Sequence, residues 1–377
     1  MKAVTYQGIK KVEVKEVPAP SIIHKDDIIV KVTACSICGS DLHCYHGMIP
    51  SMDEGYIVGH EGIGVVEEVG KDVTKVKKGD TIIIPYNIAC GKCYYCKNNL
   101  ESQCINASQY EIGATYGCSR LLGDYDGTSA QYVRVPYANF TPFVVPENSE
   151  LTDDELLLLT DALPTAFWAV EDAGVKGGDT VIIIGSGPIG LLTQKAAWMK
   201  GAERVIAIDY VDSRLEHARK TNKVEAYNLN QSSELAAIVK EMTRGGADVV
   251  IDCVGMSGKM TPMEFVGSLL RLQGGAMGSL ELATQVVRKG GIIQVVGVYG
   301  TRYNAFPLGD LFSRNITLRM GMVPAIHMIP TLYDLVQTKQ IKPADVISHH
   351  TSLEDAKEAY QMFDTQKDKC LKIIMKP

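Results

Sequence analysis

The run Val181-Ile182-Ile183-Ile184-Gly185-Ser186-Gly187-Pro188-Ile189-Gly190 decides the fold. Four consecutive β-branched residues read as a strand buried on both faces. Gly-x-Gly-x-x-Gly follows at once, and a helix-like stretch runs on from Leu191 to Lys200. In that setting the first glycine permits a tight turn. The second lets backbone N–H groups approach a pyrophosphate, and the third lets the helix pack close to the sheet. The helix N-terminus then faces negative charge. With 35 glycines a chance match is easy, so the flanking pattern carries the reading. The next apolar run, Val205 to Ile208, begins about 24 residues on, the span of one right-handed βαβ unit. Asp209 ends it, 19 residues after Gly190, where an acid holds a ribose diol. A carboxylate there repels a 2′-phosphate, which favours NAD over NADP. Arg214, five residues on, is of a type that pairs with phosphate but reads first as a helix-surface cation.

Working outward, Val249-Val250-Ile251 and Ile292 to Val296 extend the same pattern, with a further helix-like stretch from Asp212 to Thr221. Continuous apolar strands alternating with helices indicate a parallel sheet covered on both faces. This predicts one α/β domain over 166–300. Residues before it are β-rich, with short runs at Ile28–Val32, Gly62–Val69 and Thr81–Ile84. The chain ends in another plausible strand, Leu371 to Met375. The prediction is therefore a second, discontinuous domain of 1–165 and 301–377. The polar, Gly-rich stretch from Cys104 to Gly127 is expected to form surface loops.

The 38 basic and 44 acidic side chains leave a net charge of −6, which argues against nucleic acid as a partner. The longest apolar stretch, Val181 to Leu192, is broken by three glycines and is too short to span a bilayer, so no membrane partner is expected. No apolar segment follows the N-terminal lysines, so a cytoplasmic location is expected.

Ten cysteines are spread along the chain, and four crowd into Cys90-x2-Cys93-x2-Cys96-x7-Cys104. Iron–sulfur clusters also use thiolates, and a disulfide pair is the plain alternative. Close spacing in a reducing compartment favours a closed tetrahedral zinc site that orders a loop. A second set opens with Cys38-Gly39-Ser40-Asp41-Leu42-His43, followed by Gly59-His60-Glu61. One Cys, one His and a distant third ligand with an open fourth position describe a catalytic zinc. Cys35 and Cys44 read as small core residues. His24, His46, His217, His327, His349 and His350 fit no ligand spacing, and Trp168 and Trp198 read as packing residues.

Gly59-His60-Glu61-Gly62, the four-cysteine lobe and the downstream glycine fingerprint together resemble the zinc-dependent medium-chain alcohol dehydrogenases over nearly the whole chain. Asp161-Ala162-Leu163-Pro164-Thr165, Asp126-Gly127 leading into Gln131 to Pro136, and Asp252 to Met256 are most similar to the glutathione-independent formaldehyde dehydrogenase-like branch. A segment from about Gly255 to Leu282 looks like an insertion of that branch. The resemblance implies an α/β fold, with a Rossmann doubly wound parallel sheet beside a β-rich GroES-like catalytic domain. It implies that Cys38 and His60 bind the catalytic zinc. Asp161 would be third ligand, where many relatives have Cys. Asp41 would orient His60, Ser40 would pass on the substrate proton, and His43 would carry it toward solvent. Glu61, the rival carboxylate, would wait behind the ligands or replace water transiently. Thr165 would touch the nicotinamide, Lys372 would reach the cofactor phosphates, and Tyr86 would line the substrate pocket.

These readings predict two zinc ions per chain, NAD, and a small alcohol or aldehyde as partner, in a homotetramer. The reaction would pass a hydride between a primary or secondary alcohol, or an aldehyde hydrate, and NAD. A polyol or amino-alcohol dehydrogenase, an aldehyde dismutase and a zinc-stabilised nucleotide-binding module without dehydrogenase activity are the alternatives.

Overall fold

The computed structural model describes every residue of the 377-residue chain except 111, 259–274, 301–302 and 304–305. Two compact units are present: Met1–Pro164 together with Val323–Pro377, and Thr165–Met322. The centre of the expected insertion lies outside the described residues.

The first unit contains β1 Lys2–Tyr6, β2 Val12–Glu16, β3 Ile28–Ile37, β4 Glu61–Val69, β5 Thr81–Ile84, β6 Asn87–Ile88, β7 Ala114–Thr115, β8 Tyr132–Val135 and β9 Phe143–Val144. The second contributes β10 Thr180–Ile184, β11 Arg204–Asp209, β12 Glu225–Asn228, β13 Ala247–Asp252, β14 Val287–Val295 and β15 Thr317–Met320. β16 His349–Ser352 and β17 Ile373–Lys376 return to the first.

In the second unit the strand order is β12-β11-β10-β13-β14-β15, with every pair parallel. The chain winds outward from β10 to β12, then returns beside β10 and winds the other way. The glycine turn after β10 therefore sits at the point where the winding reverses, the usual crevice for a nucleotide. Ile182, Ile183, Val250 and Ile251 are fully buried, each contributing about 1.5–3 kcal/mol. The predicted Asp212–Thr221 helix is an α-helix only over Asp212–His217 and continues as a π turn to Asn222.

The second boundary differs from expectation. β15 pairs with β14 in register from Ile292–Thr317 to Val295–Met320, so the α/β unit reaches Met322 rather than 300. Thr317-Leu318-Arg319-Met320 is a largely exposed edge strand, and it lacks the continuous apolar run that marks buried parallel strands.

The first unit's main sheet has the order β16-β17-β3-β4-β5-β9, with β8 also on β3. β3 is its spine. It pairs antiparallel with β4, placing Ser36 opposite Glu61, and with β17, placing Ser36 opposite Ile374. β17 is thereby placed across β3 from the start of β4. The Cys104–Gly127 stretch is mostly irregular, as expected, but it is not all surface. Tyr116 and Ser119 are fully buried, and Ala114 and Thr115 nearly so. Among the described residues, no helix is long and apolar enough to cross a membrane.

Candidate active site

β3 ends at Ile37, and Cys38-Gly39-Ser40 leads into a short helix, α1, Asp41–Tyr45. Asp41 ties two parts of the site together. One carboxylate oxygen accepts the Cys38 N–H at 2.8 Å, and the other faces His60 Nδ1 at 3.0 Å. That bond fixes the ring and turns Nε2 toward Cys38 and Asp161. His60 stands at the entry to β4, after Gly59 at φ +92°, where a Cβ would fall 2.2 Å from Ser129 Oγ. Asp161 Oδ2 lies 3.4 Å from His60 Nε2 and 3.6 Å from Cys38 Sγ. One donor atom each from Cys38, His60, Glu61 and Asp161 falls within 4.8 Å of the others.

The electrostatics of this group suit a metal. Burial pushes the Cys38 thiol up, and the charges of Glu61 and Asp161 push it further. Burial works against a charged His60, but Asp41 and Asp161 outweigh it and raise the imidazole well above its usual range. Crowded buried acids around a thiol are short of positive charge, a condition that a divalent cation relieves. Glu61 adds a second sign. Its Oε2 accepts from Ser36 Oγ and pairs with Lys372 Nζ, while the buried Oε1 has no protein partner. The sulfur, nitrogen and oxygen donors thus fit zinc.

Lys372, which the resemblance implies at the cofactor phosphates, is only 2% exposed, and its ammonium pairs with Glu61. Burial disfavours its charge, but Glu61 and Cys38 more than compensate and hold its pKa above the usual lysine value.

The four-cysteine set is equally compact. Its sulfurs lie within 4.8 Å of one another, with Cys93–Cys96 at 3.4 Å and Cys93–Cys104 at 4.0 Å. Burial raises the Cys90 thiol, but the N–H groups of Lys92 and Cys93 outweigh it and bring the pKa down to about 6. Gly91 sits at φ +70°, with Phe140 where a Cβ would go, so the knuckle needs glycine. Four thiol donors leave no open position, in contrast to the Cys38 site.

In the second unit each fingerprint glycine has its own reason. Gly185 has φ +94°, and a Cβ on Gly190 would lie 1.9 Å from the Gly185 carbonyl. Gly187 is different. A Cβ there would meet only Arg214 Nη1, at 3.6 Å, so the protein's own packing does not demand glycine. The open space suits a ligand that approaches the backbone closely. Gly187 caps the helix Pro188–Met199, with Pro188 at its first position and Ile189 next. Asp209 ends β11, and its carboxylate already accepts the N–H groups of Ser186, Tyr210 and Val211 at 2.6, 2.6 and 2.9 Å. It is thus held rigidly beside the glycine turn. Thr165 is buried in the helix Ala162–Asp172.

The alcohol dehydrogenase GroES-like domain model matches residues 24–147, and the zinc-binding dehydrogenase model matches residues 188–263. An uncharacterized zinc-type alcohol dehydrogenase-like protein AdhB of Bacillus subtilis is 56% identical, covering 100% of both chains. The chain belongs to the zinc-type medium-chain alcohol dehydrogenases. Glutathione-independent formaldehyde dehydrogenase of Bacillus subtilis is 31% identical, over 96% of this chain and 94% of its own. The solved alcohol dehydrogenase TADH from Thermus sp. ATN1 superposes with TM-score 0.86 at 32% identity, over 100% of this chain and 99% of that one. As a member of this dehydrogenase family, the protein is a zinc-binding oxidoreductase.

Other residues expected at the alcohol dehydrogenase site fall as follows. Ser40 Oγ lies 3.3 Å from His60 Nε2. His43 is on α1 but is buried, not at the surface. Burial, then the nearby charge of His46, pushes its pKa down to about 4, so the ring is neutral at pH 7. Tyr86 meets the His60 ring edge-on at 6.4 Å, and its hydroxyl donates to the Val323 carbonyl at 2.6 Å. Ser36 was missed by sequence reading, because a serine in an apolar strand carries no signal until Glu61 lies opposite it. The Lys372–Glu61 pair joins positions 311 apart, and nothing local announces it.

Proposed function

We propose that this dehydrogenase passes a hydride between NAD and a small primary or secondary alcohol, or the corresponding aldehyde hydrate, using two zinc ions per chain. The observation that carries the reading is the Cys38–His60–Asp161 donor set, with Asp41 holding the imidazole. Cys38, His60 and Asp161 would hold the catalytic ion, and Cys90, Cys93, Cys96 and Cys104 the other. Zinc, when bound at the first set, supplies Lewis acidity that lowers the pKa of an alcohol hydroxyl.

The chain's own residues do the rest. Asp41 keeps His60 in one orientation. Ser40 Oγ takes the substrate hydroxyl proton and passes it on, with His43 as a neutral partner rather than a charged one. Tyr86 offers an aromatic wall and no proton, since its hydroxyl is spent on Val323. Glu61 stays behind the ligands, held by Ser36 and Lys372. Backbone N–H groups at Gly187, Ile189 and Gly190 receive the pyrophosphate, Gly185 makes the turn and Pro188 opens the helix, while Asp209 takes the ribose diol and Thr165 the nicotinamide. Similarity to a glutathione-independent formaldehyde dehydrogenase supports an aldehyde hydrate among the substrates.

The test is a panel of short alcohols and aldehydes, formaldehyde included, read at the NADH absorbance on zinc-loaded protein. Turnover with NAD is expected. NAD binding without turnover of any of them would leave a nucleotide-binding module. Asp209→Gly is expected to weaken NAD and relieve the exclusion of NADP, and wild-type protein that uses both equally would remove the role given to that carboxylate. A cytoplasmic homotetramer is part of the same proposal, and sedimentation at working concentration checks the assembly.

A further inference from the structure

Outside the four-cysteine set, two thiols meet that the dehydrogenase reading does not use. Cys44 Sγ and Cys118 Sγ lie 3.2 Å apart, although 74 residues separate them. Cys44 is buried on α1, and Cys118 is half-buried. The contact is held from both sides. Gly117 sits at φ +59°, and a Cβ there would lie 2.3 Å from the Gly59 carbonyl. Ser119, at φ +94°, donates through Oγ to the Pro50 carbonyl at 2.7 Å and accepts from Leu121 N at 3.1 Å. Cys118 is thus fixed between two anchored neighbours. Cys44 is one helical turn beyond Asp41, whose carboxylate orients His60 and binds the Cys38 N–H.

We propose that Cys44 and Cys118 form a reversible disulfide, an oxidation site linked through α1 to the carboxylate that orients His60. A disulfide spans ~2.05 Å, so the sulfurs close by about 1 Å. The hydrogen bond between Cys44 and Cys118 is the main reason that the Cys118 thiol lies below the usual thiol range. Partial exposure and thiolate character mark it as the attacking sulfur.

The oxidant is a hydroperoxide, with hydrogen peroxide as the simplest. The Cys118 thiolate attacks one peroxide oxygen. An S–O bond forms, the O–O bond breaks, and hydroxide leaves, taking up the proton that Cys118 released to become water. The Cys44 sulfur then attacks the sulfenic sulfur. The S–S bond forms, the S–O bond breaks, and that oxygen leaves as water with the Cys44 proton. The two sulfurs lose two electrons and the peroxide gains two. A dithiol reductant reverses the change by exchange. Closure pulls on a helix only five residues long, and it moves Asp41 relative to His60. A displacement near 1 Å in a catalytic arrangement costs up to about a hundredfold.

The test treats zinc-loaded protein with limiting hydrogen peroxide, then maps peptides without reduction. The expected result is a Cys44–Cys118 link formed before any oxidation of Cys38 or loss of zinc. The link should be reversed by dithiothreitol. Oxidation of Cys38 or of the four-cysteine set while Cys44 and Cys118 stay free would overturn the site. This readout needs no substrate, so it stands apart from the dehydrogenase reading. For the link to Asp41, turnover of oxidised wild type should fall about tenfold or more and recover on reduction, while Cys118→Ala keeps its turnover under the same peroxide. Equal losses in both proteins would overturn the coupling.

Discussion

Under the proposed ligand set, Asp161 puts an oxygen donor beside Cys38 and His60, and the charge count shows how that would work. One thiolate and one carboxylate balance the two charges of zinc. A hard oxygen donates less than a thiolate, so the metal stays a strong Lewis acid. Glu61 would upset this balance were it not paired with Lys372 within the same buried cluster. Asp161→Asn is therefore expected to lose the catalytic zinc and activity while the four-cysteine zinc stays. Metal analysis should fall from two equivalents to one, and two retained equivalents with full activity would pass the ligand role to Glu61. Lys372→Met removes one half of a buried pair and strands a carboxylate. A stability loss of about 3–5 kcal/mol is expected in urea unfolding. The grouping of Cys38 with His60 and the tie from Asp41 to His60 were legible through the resemblance of the whole motif set, not from either residue alone. The pairing of Lys372 with Glu61 was not legible, because it is set by β17 joining β3, a contact that only the folded chain makes.

At the scale of elements, the strand–turn–helix unit was the most legible part. Its strands bury both faces, so each is a continuous apolar run, and the glycine turn is fixed by contacts within a few residues. α1 was not legible, because five residues are too few for a helical period. Its burial has a measurable consequence at His43. The unfolded imidazole has a pKa near 6.5, and the folded one about 4. Above pH 7 both states are neutral and the group adds nothing. As pH falls below that, the unfolded chain binds a proton that the folded chain refuses, so stability falls with pH. Between pH 7 and pH 5 the loss should be about 2 kcal/mol. His43→Gln should remove that part of the slope, measured as urea midpoints at the two pH values. Parallel slopes in both proteins would show that His43 does not titrate this way.

For the whole molecule, the discontinuous two-unit plan was readable from composition, but the return point near residue 300 was not. β15 belongs to the α/β sheet as an exposed edge, so it lacks the apolar signature of its neighbours. The four-cysteine lobe poses the opposite case, a segment whose order comes from chemistry rather than from apolar burial. Between Cys90 and Cys104 the regular structure is one four-residue helix, Tyr94–Lys97, and one turn, Glu101–Gln103. Tyr94 and Leu100 are exposed, as is Ile105 just beyond, and the buried apolar side chains of the lobe are the four cysteines themselves. With zinc bound as proposed, such a segment would depend on its metal, because structural zinc binding is folding free energy. The two ions should therefore leave differently. A chelator should strip the site with an open position first, abolishing activity with little change in melting temperature. Loss of the second ion should follow more slowly and bring a drop of several degrees, because it releases the lobe. Cys93→Ser should reproduce the second effect alone, keeping one zinc equivalent and melting lower. If both ions leave together, with activity and melting temperature falling in parallel, the two sites do not have the separate roles given to them here.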